Sequence, residues 1–402
     1  MMSKSESLFP VMILTVAAFV FNASEFAPIG ILSSIAADLS RTESEIGFLI
    51  SVYAWVVMIM SLPLMVVFSR MEYKRLMIGV LALFTASHAL SGFASGYGML
   101  MVSRVGVACS HAIFWSIATP LAVKVAPRGK KSTAMALIVA GSSVAQILGM
   151  PLCRVVGLAM GWRYTFLLLG AIAAVAMAML CLFFPQVKND SDFSIRHLPR
   201  IFRNKRLLMI YITIIAFVLG HFTVYSYIEP YLLNEAAMDA HIVTGVLIMF
   251  GIAGIAASFL FSAFYPGRRR LLVYASSFFL PFVICMLQFV KVSLWGTVIT
   301  CIVWGTAMTL INMILQARLM KVERRATTIA MSLYSGLYNL GIGGGAAIGG
   351  YICDKSGIGA ICTFGAVIAL AGSAMFISQY LNRLTLRPNS VHSRHLRHLL
   401  RK

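Results

Sequence analysis

Apolar residues run along this chain in long uninterrupted segments, divided by short polar stretches. Twelve such segments can be read: Leu8 to Ala37, Ile46 to Ser69, Leu76 to Ser95, Tyr97 to Val123, Thr133 to Leu158, Trp162 to Phe184, Leu207 to Leu233, His241 to Tyr265, Leu271 to Val290, Val292 to Ala317, Thr327 to Ile352, and Gly357 to Leu381. Each approaches or exceeds the ~20 apolar residues that a helix needs to cross a bilayer. A membrane β-barrel would instead show ~10-residue segments of alternating hydrophobicity, and none is visible. The pattern predicts an all-α membrane protein with twelve transmembrane helices. The first run, behind Lys4, is too long for a cleaved leader and lacks a small-residue cleavage site, so it reads as a retained helix.

Polar residues then fix orientation. Lys and Arg in short loops stay on the cytoplasmic side, and counting every second loop plus both termini puts 27 cations on one side against five on the other: Arg41, Arg154, Arg163, Lys291 and Lys355. Both termini are therefore expected in the cytoplasm. The longest polar connection divides the chain into an N-terminal six-helix bundle (1–184), a cytoplasmic linker (185–206), a C-terminal six-helix bundle (207–382) and a basic tail (383–402). The bundles echo each other. Lys131-Ser-Thr-Ala-Met135 with Leu137 matches Thr327-Thr-Ile-Ala-Met331 with Leu333 at an offset of 196, and Glu25 with Pro28 echoes Glu229 with Pro230. Such duplication is the plan of secondary transporters, whose substrate site lies near the midplane between the halves.

Composition agrees: 60% of the 402 residues are hydrophobic and 11% charged, with mean hydropathy +0.88, where soluble domains run near ~25% charged. The net charge of +20 then reads as a topology signal, and nucleic acid is not expected as a partner. The seven cysteines stand singly in apolar segments without CxxC spacing and read as packing residues. No Gly-Lys-Ser/Thr follows the glycines, which argues against an ATP-driven P-loop. Gly141, Gly149 and Pro151, and the run Gly341 to Gly350, suit close helix approach and bending. With no nucleophile triad, metal cluster or nucleotide fingerprint, neither an enzyme nor a cofactor is expected.

Charges inside the bilayer are costly and usually functional, and three stand out: Glu25, Glu229 and Arg104. Glu25 is the foremost candidate for proton coupling, because a buried carboxyl exchanges its proton as its surroundings wet and dry; a permanent ion pair with Arg104 is the competing reading. Imidazoles titrate near neutral pH and hydrogen-bond hydroxyls. His111 and Trp115 fall on one stripe with Arg104, and His221 and Tyr225 on another with Glu229, as two walls of one cavity. Asn22, Tyr53, Asn312, Gln316, Tyr334, Tyr338 and Asn339 add hydrogen-bonding groups among aromatic faces, a mixture suited to a sugar; polar glue between helices is the bland alternative. His88, without such neighbours, reads as structural.

Several stretches carry a resemblance: Phe21 to Gly30 (FNASEFAPIG), Tyr53-Ala-Trp55 with Ser61-Leu-Pro63, Arg104 to Ala108, His111 to Trp115, Gly161-Trp-Arg163 and Tyr225 to Pro230. The chain resembles the major facilitator superfamily, in its proton-antiporting efflux branch, and most closely the bacterial sugar-efflux transporters of the arabinose and isopropyl-thiogalactoside exporting type. The resemblance covers nearly all of Leu8 to Leu381 and implies two pseudo-symmetric bundles, alternating access and export against protons. It places Arg104 on the superfamily's fourth-helix arginine, Glu25 on the first-helix acid, and His111 and His221 on polar positions facing the central cavity. Ser69 to Arg75 departs from the family's Gly-x-x-x-Asp-Arg-x-Gly-Arg-Arg loop, and Gly141 to Pro151 is a partial antiporter signature. The expectation is a monomeric exporter of sugars or sugar analogues, with protons and the lipid bilayer as its other partners. A multidrug exporter is the alternative, with a membrane-embedded enzyme or receptor a distant third.

Overall fold

The computed structural model describes residues 7–68, 70–187, 198–323 and 327–385. Part of the expected linker (188–197) and most of the basic tail (386–402) lie outside the described residues, as does Lys4.

The described residues are helical, with no strand among them. Ten helices are long and apolar enough to cross a membrane. In the first half these are α1 (Phe9–Gly30), α3 (Glu43–Val67), α4 (Tyr73–Gly92), α5 (Tyr97–Val125), the α6–α7 unit and α8 (Trp162–Phe183); short α2 (Leu32–Asp38) follows α1. In the α6–α7 unit, α6 (Lys131–Val144) passes through a π-turn, Ala145–Gly149, into α7 (Met150–Met160). Short α9 (Leu198–Arg203) opens the second half, followed by α10 (Lys205–Tyr225), the three-residue α11 (Ile228–Pro230), α12 (Ala240–Val290), α13 (Leu294–Val322), α14 (Thr327–Ser356) and α15 (Ile361–Thr385). Of the long helices, α14 alone is not among the ten.

Helix ends follow local chemistry. Thr42 and Glu45 form a capping box at the start of α3, and Asp239 and Ser293 cap α12 and α13 by accepting from the His241 and Gly296 amides at 2.8 and 3.2 Å. The eighth and ninth apolar segments merge into the 51-residue α12, about 76 Å at 1.5 Å per residue and more than twice the hydrocarbon thickness of ~30 Å. Its continuity is broken at Arg268, where φ −119° and ψ 36° leave the helical region.

The two halves keep step. Lys205 of α10 follows Phe9 of α1 by 196 residues, Thr327 of α14 follows Lys131 of α6 by 196, and Leu294 of α13 follows Tyr97 of α5 by 197. The break at Arg268 falls 195 residues after Tyr73, the start of α4. Across the molecule the halves meet along two seams, α3 with α14 and the π-turn and α7 with α12. Exchanging the halves maps one seam onto the other, so the repeat in sequence becomes a two-fold relation in packing. Glycines let both seams close: a Cβ on Gly343 would stand 2.9 Å from the Ser51 carbonyl oxygen, and one on Gly251 2.6 Å from the Ile147 carbonyl.

One charge assignment is corrected. Arg154, counted among loop cations of the outer side, lies within α7 with none of its surface exposed. It belongs with Glu25, Glu229 and Arg104 among the interior charges.

Candidate functional site

Helices α1, α3 and α5 assemble the first wall. His111 and Trp115, one turn apart on α5, bring their rings within 6.1 Å of each other. Tyr53 of α3 stands edge-on to His111 at 5.6 Å. The Glu25 Oε2 atom of α1 lies 3.8 Å from His111 Nε2. Arg104 stacks its guanidinium over the Tyr53 ring at 4.5 Å. Its Nε and Nη1, the Tyr53 hydroxyl and His111 Nδ1 are buried without a hydrogen-bond partner among the described residues. Asn22 is committed elsewhere: its Nδ2 donates to the Ser142 Oγ of α6. Buried polar groups without partners are costly, so this wall holds several donors and acceptors free for a ligand.

The second wall is an aromatic box. His221 of α10 stacks on Tyr225 at 4.9 Å and faces Trp304 of α13 edge-on at 5.3 Å. Phe250 of α12 packs on Tyr225 at 4.9 Å and on Trp304 at 5.2 Å. His221 Nδ1 and Trp304 Nε1 have no hydrogen-bond partner among the described residues. The sequence reading missed Phe250 and Trp304, which sit in apolar runs and look like lipid-facing aromatics until the fold turns them inward.

Between the walls, Tyr338 of α14 lies within electrostatic range of both Glu25 and Tyr225. The Tyr334 hydroxyl donates to Asn312 Oδ1 at 2.8 Å, and Gln316 Nε2 donates to the same oxygen at 3.1 Å. Asn339 Nδ2 donates back to the Ser335 carbonyl at 3.0 Å, leaving its Oδ1 without a partner. Asn312, Gln316 and Tyr334 thus form a self-satisfied cluster linking α13 to α14, closer to the polar-glue reading than to a free binding surface. His88, read as structural, is fully buried with its Nε2 2.8 Å from Ser24 Oγ, and its Nδ1 has no hydrogen-bond partner among the described residues.

Access is asymmetric. At one end of the molecule a cavity of about 230 Å³ separates the halves, lined by Met58, Met65, Tyr73 and Pro120 on one side and Leu333 and Leu337 on the other. At the opposite end the halves are knitted together. Arg154 Nη1 reaches Glu229 Oε1 at 2.5 Å, Ser44 Oγ donates to Asp354 at 2.6 Å, and Asn234 donates to Glu43 at 3.1 Å. Glu229, expected on the seventh helix, in fact follows its end in the separate turn α11, and its carboxylate serves this seal.

A two-fold bundle of long apolar helices, sealed at one end and open between its halves at the other, is matched by comparison. Residues 14–330 match the Major Facilitator Superfamily. The chain belongs to that superfamily. Within it, the chain is 38% identical over 375 residues to a "Probable sugar efflux transporter" of Mannheimia succiniciproducens, covering 93% of this chain and 94% of the relative. It is 39% identical over 378 residues to a protein of the same name from Pasteurella multocida, with 93% of each covered. Among solved structures, a bacterial homolog of the human lysosomal transporter Spinster superposes with TM-scores of 0.76 (occupied) and 0.74 (unoccupied) at 13% identity, over 94% of this chain and 98% of the other. At that identity the likeness bears on the fold. This member of the superfamily is thus a multi-pass membrane protein of the transporter class.

Proposed function

We propose that the chain exports sugars or sugar analogues across the bacterial inner membrane by alternating access, driven by inward proton movement. The observation that carries this reading is the pair of facing walls, each with a histidine whose Nδ1 is buried without a partner beside aromatic faces. A sugar presents hydroxyls to the first kind of group and C–H faces to the second. The names of the relatives point the same way. Twelve crossings in bundles 1–184 and 207–382, joined by a cytoplasmic linker at 185–206 and followed by a basic tail, are supported by the near-constant offset of ~196 between helix starts, by the length of α12 and by the break at Arg268. With both termini cytoplasmic, the open cavity faces inward.

In the proposed cycle His111, Trp115, Tyr53, His221 and Tyr225 contact substrate, with Tyr338 and Asn339 between the walls. Glu25 carries the proton, next to His111 and in the field of Arg104. Substrate and proton then compete around one carboxyl–imidazole pair, which is the requirement for exchange. Transport of labelled arabinose, lactose and thiogalactosides in inverted vesicles, with and without a pH gradient, tests the proposal. Accumulation that collapses with the gradient is expected. Equal accumulation without a gradient removes the proton from the mechanism, and transport of lipophilic cations instead of sugars favours the multidrug reading.

A further inference from the structure

Between the second binding wall and the sealed end, two contacts cross from one half of the molecule to the other along the same pair of segments. The outer one is the buried ion pair of Arg154 on α7 and Glu229 on α11, 0% and 1% exposed and 2.5 Å apart. Arg154 also donates to the Gly30 carbonyl at 2.7 Å and to Thr244 Oγ1 of α12 at 3.2 Å. The second carboxylate oxygen of Glu229 accepts from the Ser33 amide at 3.1 Å and the Ser33 hydroxyl at 2.9 Å. The inner contact is a hydrogen bond from the Tyr225 hydroxyl, at the end of α10, to the Met150 sulfur, at the start of α7, 3.9 Å long. Met150 and Tyr225 each stand four residues before their charged counterparts, and 75 residues separate the partners in both contacts. The two segments therefore run side by side in the same direction and meet in two successive rungs. Gly30 lies against both: a Cβ there would stand 2.9 Å from Met150 Cγ and 3.6 Å from Arg154 Cβ.

The rungs differ in strength. A thioether is a weak acceptor, so the Tyr225 hydroxyl exchanges it readily for a better one. Charge-assisted hydrogen bonds are strong, and parting a buried ion pair without water is strongly unfavourable. Tyr225 also belongs to the binding wall, stacked on His221 at 4.9 Å. We infer that Met150 is a positioning residue for the outer seal: it holds the Tyr225 hydroxyl while the site is empty, and a substrate oxygen that takes this hydroxyl removes the inner rung and favours the conformation open at the outer end. A ligand shifts a conformational equilibrium only by its differential affinity for the two states. Here the difference is one hydrogen bond, because in the sealed state Tyr225 must first leave Met150. Arg154 and Glu229 then part as two charges when the opening seam admits water to both. No proton passes along the ladder: outward movement of the loaded carrier is assigned to substrate, and the proton step stays with Glu25.

This ladder rests on the alternating-access reading and on Tyr225 as a substrate contact. Hydrogen exchange of the purified full chain at a single pH, read by mass spectrometry with and without isopropyl thiogalactoside, tests it. In the wild type, the sugar should lower protection of residues 31–38 and 228–247, which surround the outer rung, about tenfold, the worth of one hydrogen bond. Met150→Leu keeps the apolar volume and removes the acceptor. Without ligand it should already lower protection of the same segments, the sugar should lower it no further, and sugar affinity should rise. Met150→Gln, which returns an acceptor at similar length, should restore the wild-type pattern. Residues 76–92 of α4, which packs on α5 and α8 within the first half, should keep wild-type protection in both variants. Wild-type protection of the outer segments in ligand-free Met150→Leu, or a loss shared equally by 76–92, overturns the ladder and makes Met150 a packing residue. If ligand-free Met150→Leu behaves as expected while the sugar changes nothing in the wild type, the inner rung stands as a clasp of the outer end and the sugar reading falls.

Discussion

Glu25 Oε2 lies 3.8 Å from His111 Nε2, whereas Arg104, the counter-ion of Glu25 in the competing reading, turns its guanidinium onto the Tyr53 ring. The closest ionisable partner of the first-helix acid is thus a group that can itself gain or lose a proton. A ligand hydroxyl placed between them would meet a carboxyl oxygen on one side and an imidazole nitrogen on the other.

This arrangement separates two expectations for Glu25→Gln. Were Glu25 held in a permanent pair with Arg104, neutralising it would strand a buried charge at ~3 to 5 kcal/mol, visible as a large drop in Tm. With Arg104 supported by the Tyr53 face, the variant is expected to melt within a few degrees of wild type. It should bind substrate and equilibrate it down a gradient, but fail to concentrate it. Melting temperature and gradient-driven transport measured on one preparation check both halves. A stable Glu25→Gln protein that still concentrates substrate would shift coupling to Glu229 or a histidine.

His111→Ala and His221→Ala are each expected to weaken sugar binding about tenfold, or ~1.4 kcal/mol for one lost hydrogen bond, without loss of folded protein. Calorimetric titration of each purified variant is the measurement. Trp304→Phe, which keeps the aromatic face and removes the unpartnered Nε1, should show a smaller loss. Unchanged affinity in both alanine variants would make these rings packing residues.

Much of this was legible in the residue pattern, for reasons that differ by level. Segment length and charge alternation are set by the bilayer, so the crossing helices and the repeat of Lys131 to Leu137 in Thr327 to Leu333 could be read directly. The pairing of Arg154 with Glu229 could not, because the two are 75 residues apart and Arg154 sits near a helix end, where it passes for an interfacial cation. The same limit hid Phe250 and Trp304: in a chain with 60% hydrophobic residues, an aromatic facing lipid and one facing the cavity carry the same local signal. Asn312 and Gln316 show a further limit, since a polar stripe does not reveal which of its members hydrogen-bond one another. The polar run Pro266 to Arg270 between the eighth and ninth apolar segments coincides with the break at Arg268, where the backbone leaves the helical region.

Topology gives a prediction independent of the site. Fusions of a fluorescent protein or alkaline phosphatase at Gly129 and at the C-terminus should fluoresce and lack phosphatase activity, whereas a phosphatase fusion after Lys291 should be active. Phosphatase activity at the C-terminus would break the alternation on which the twelve-crossing proposal rests.

The seam between α12 and the π-turn predicts how a single methyl group biases the cycle. A Cβ on Gly251 would stand 2.6 Å from the Ile147 carbonyl oxygen and 2.7 Å from its Cα. Both are backbone atoms, so no rotamer change relieves the clash and the helices must separate. The cost falls only on conformations in which α12 and Ala145–Gly149 are in contact, as in the sealed outer end described here. Gly251→Ala is therefore expected to fold, because the two halves pack separately elsewhere, yet to spend less time closed at its outer end. A penalty of ~1 to 3 kcal/mol, typical of overpacking, would shift that equilibrium by roughly 5- to 150-fold. Transport should slow while equilibrium binding from the outer side improves, a combination that a merely destabilised protein does not produce. Binding to right-side-out vesicles and turnover in inverted ones, compared for Gly251→Ala and wild type, make the check. Unchanged binding with slowed turnover would mean that this seam does not report the state of the outer end.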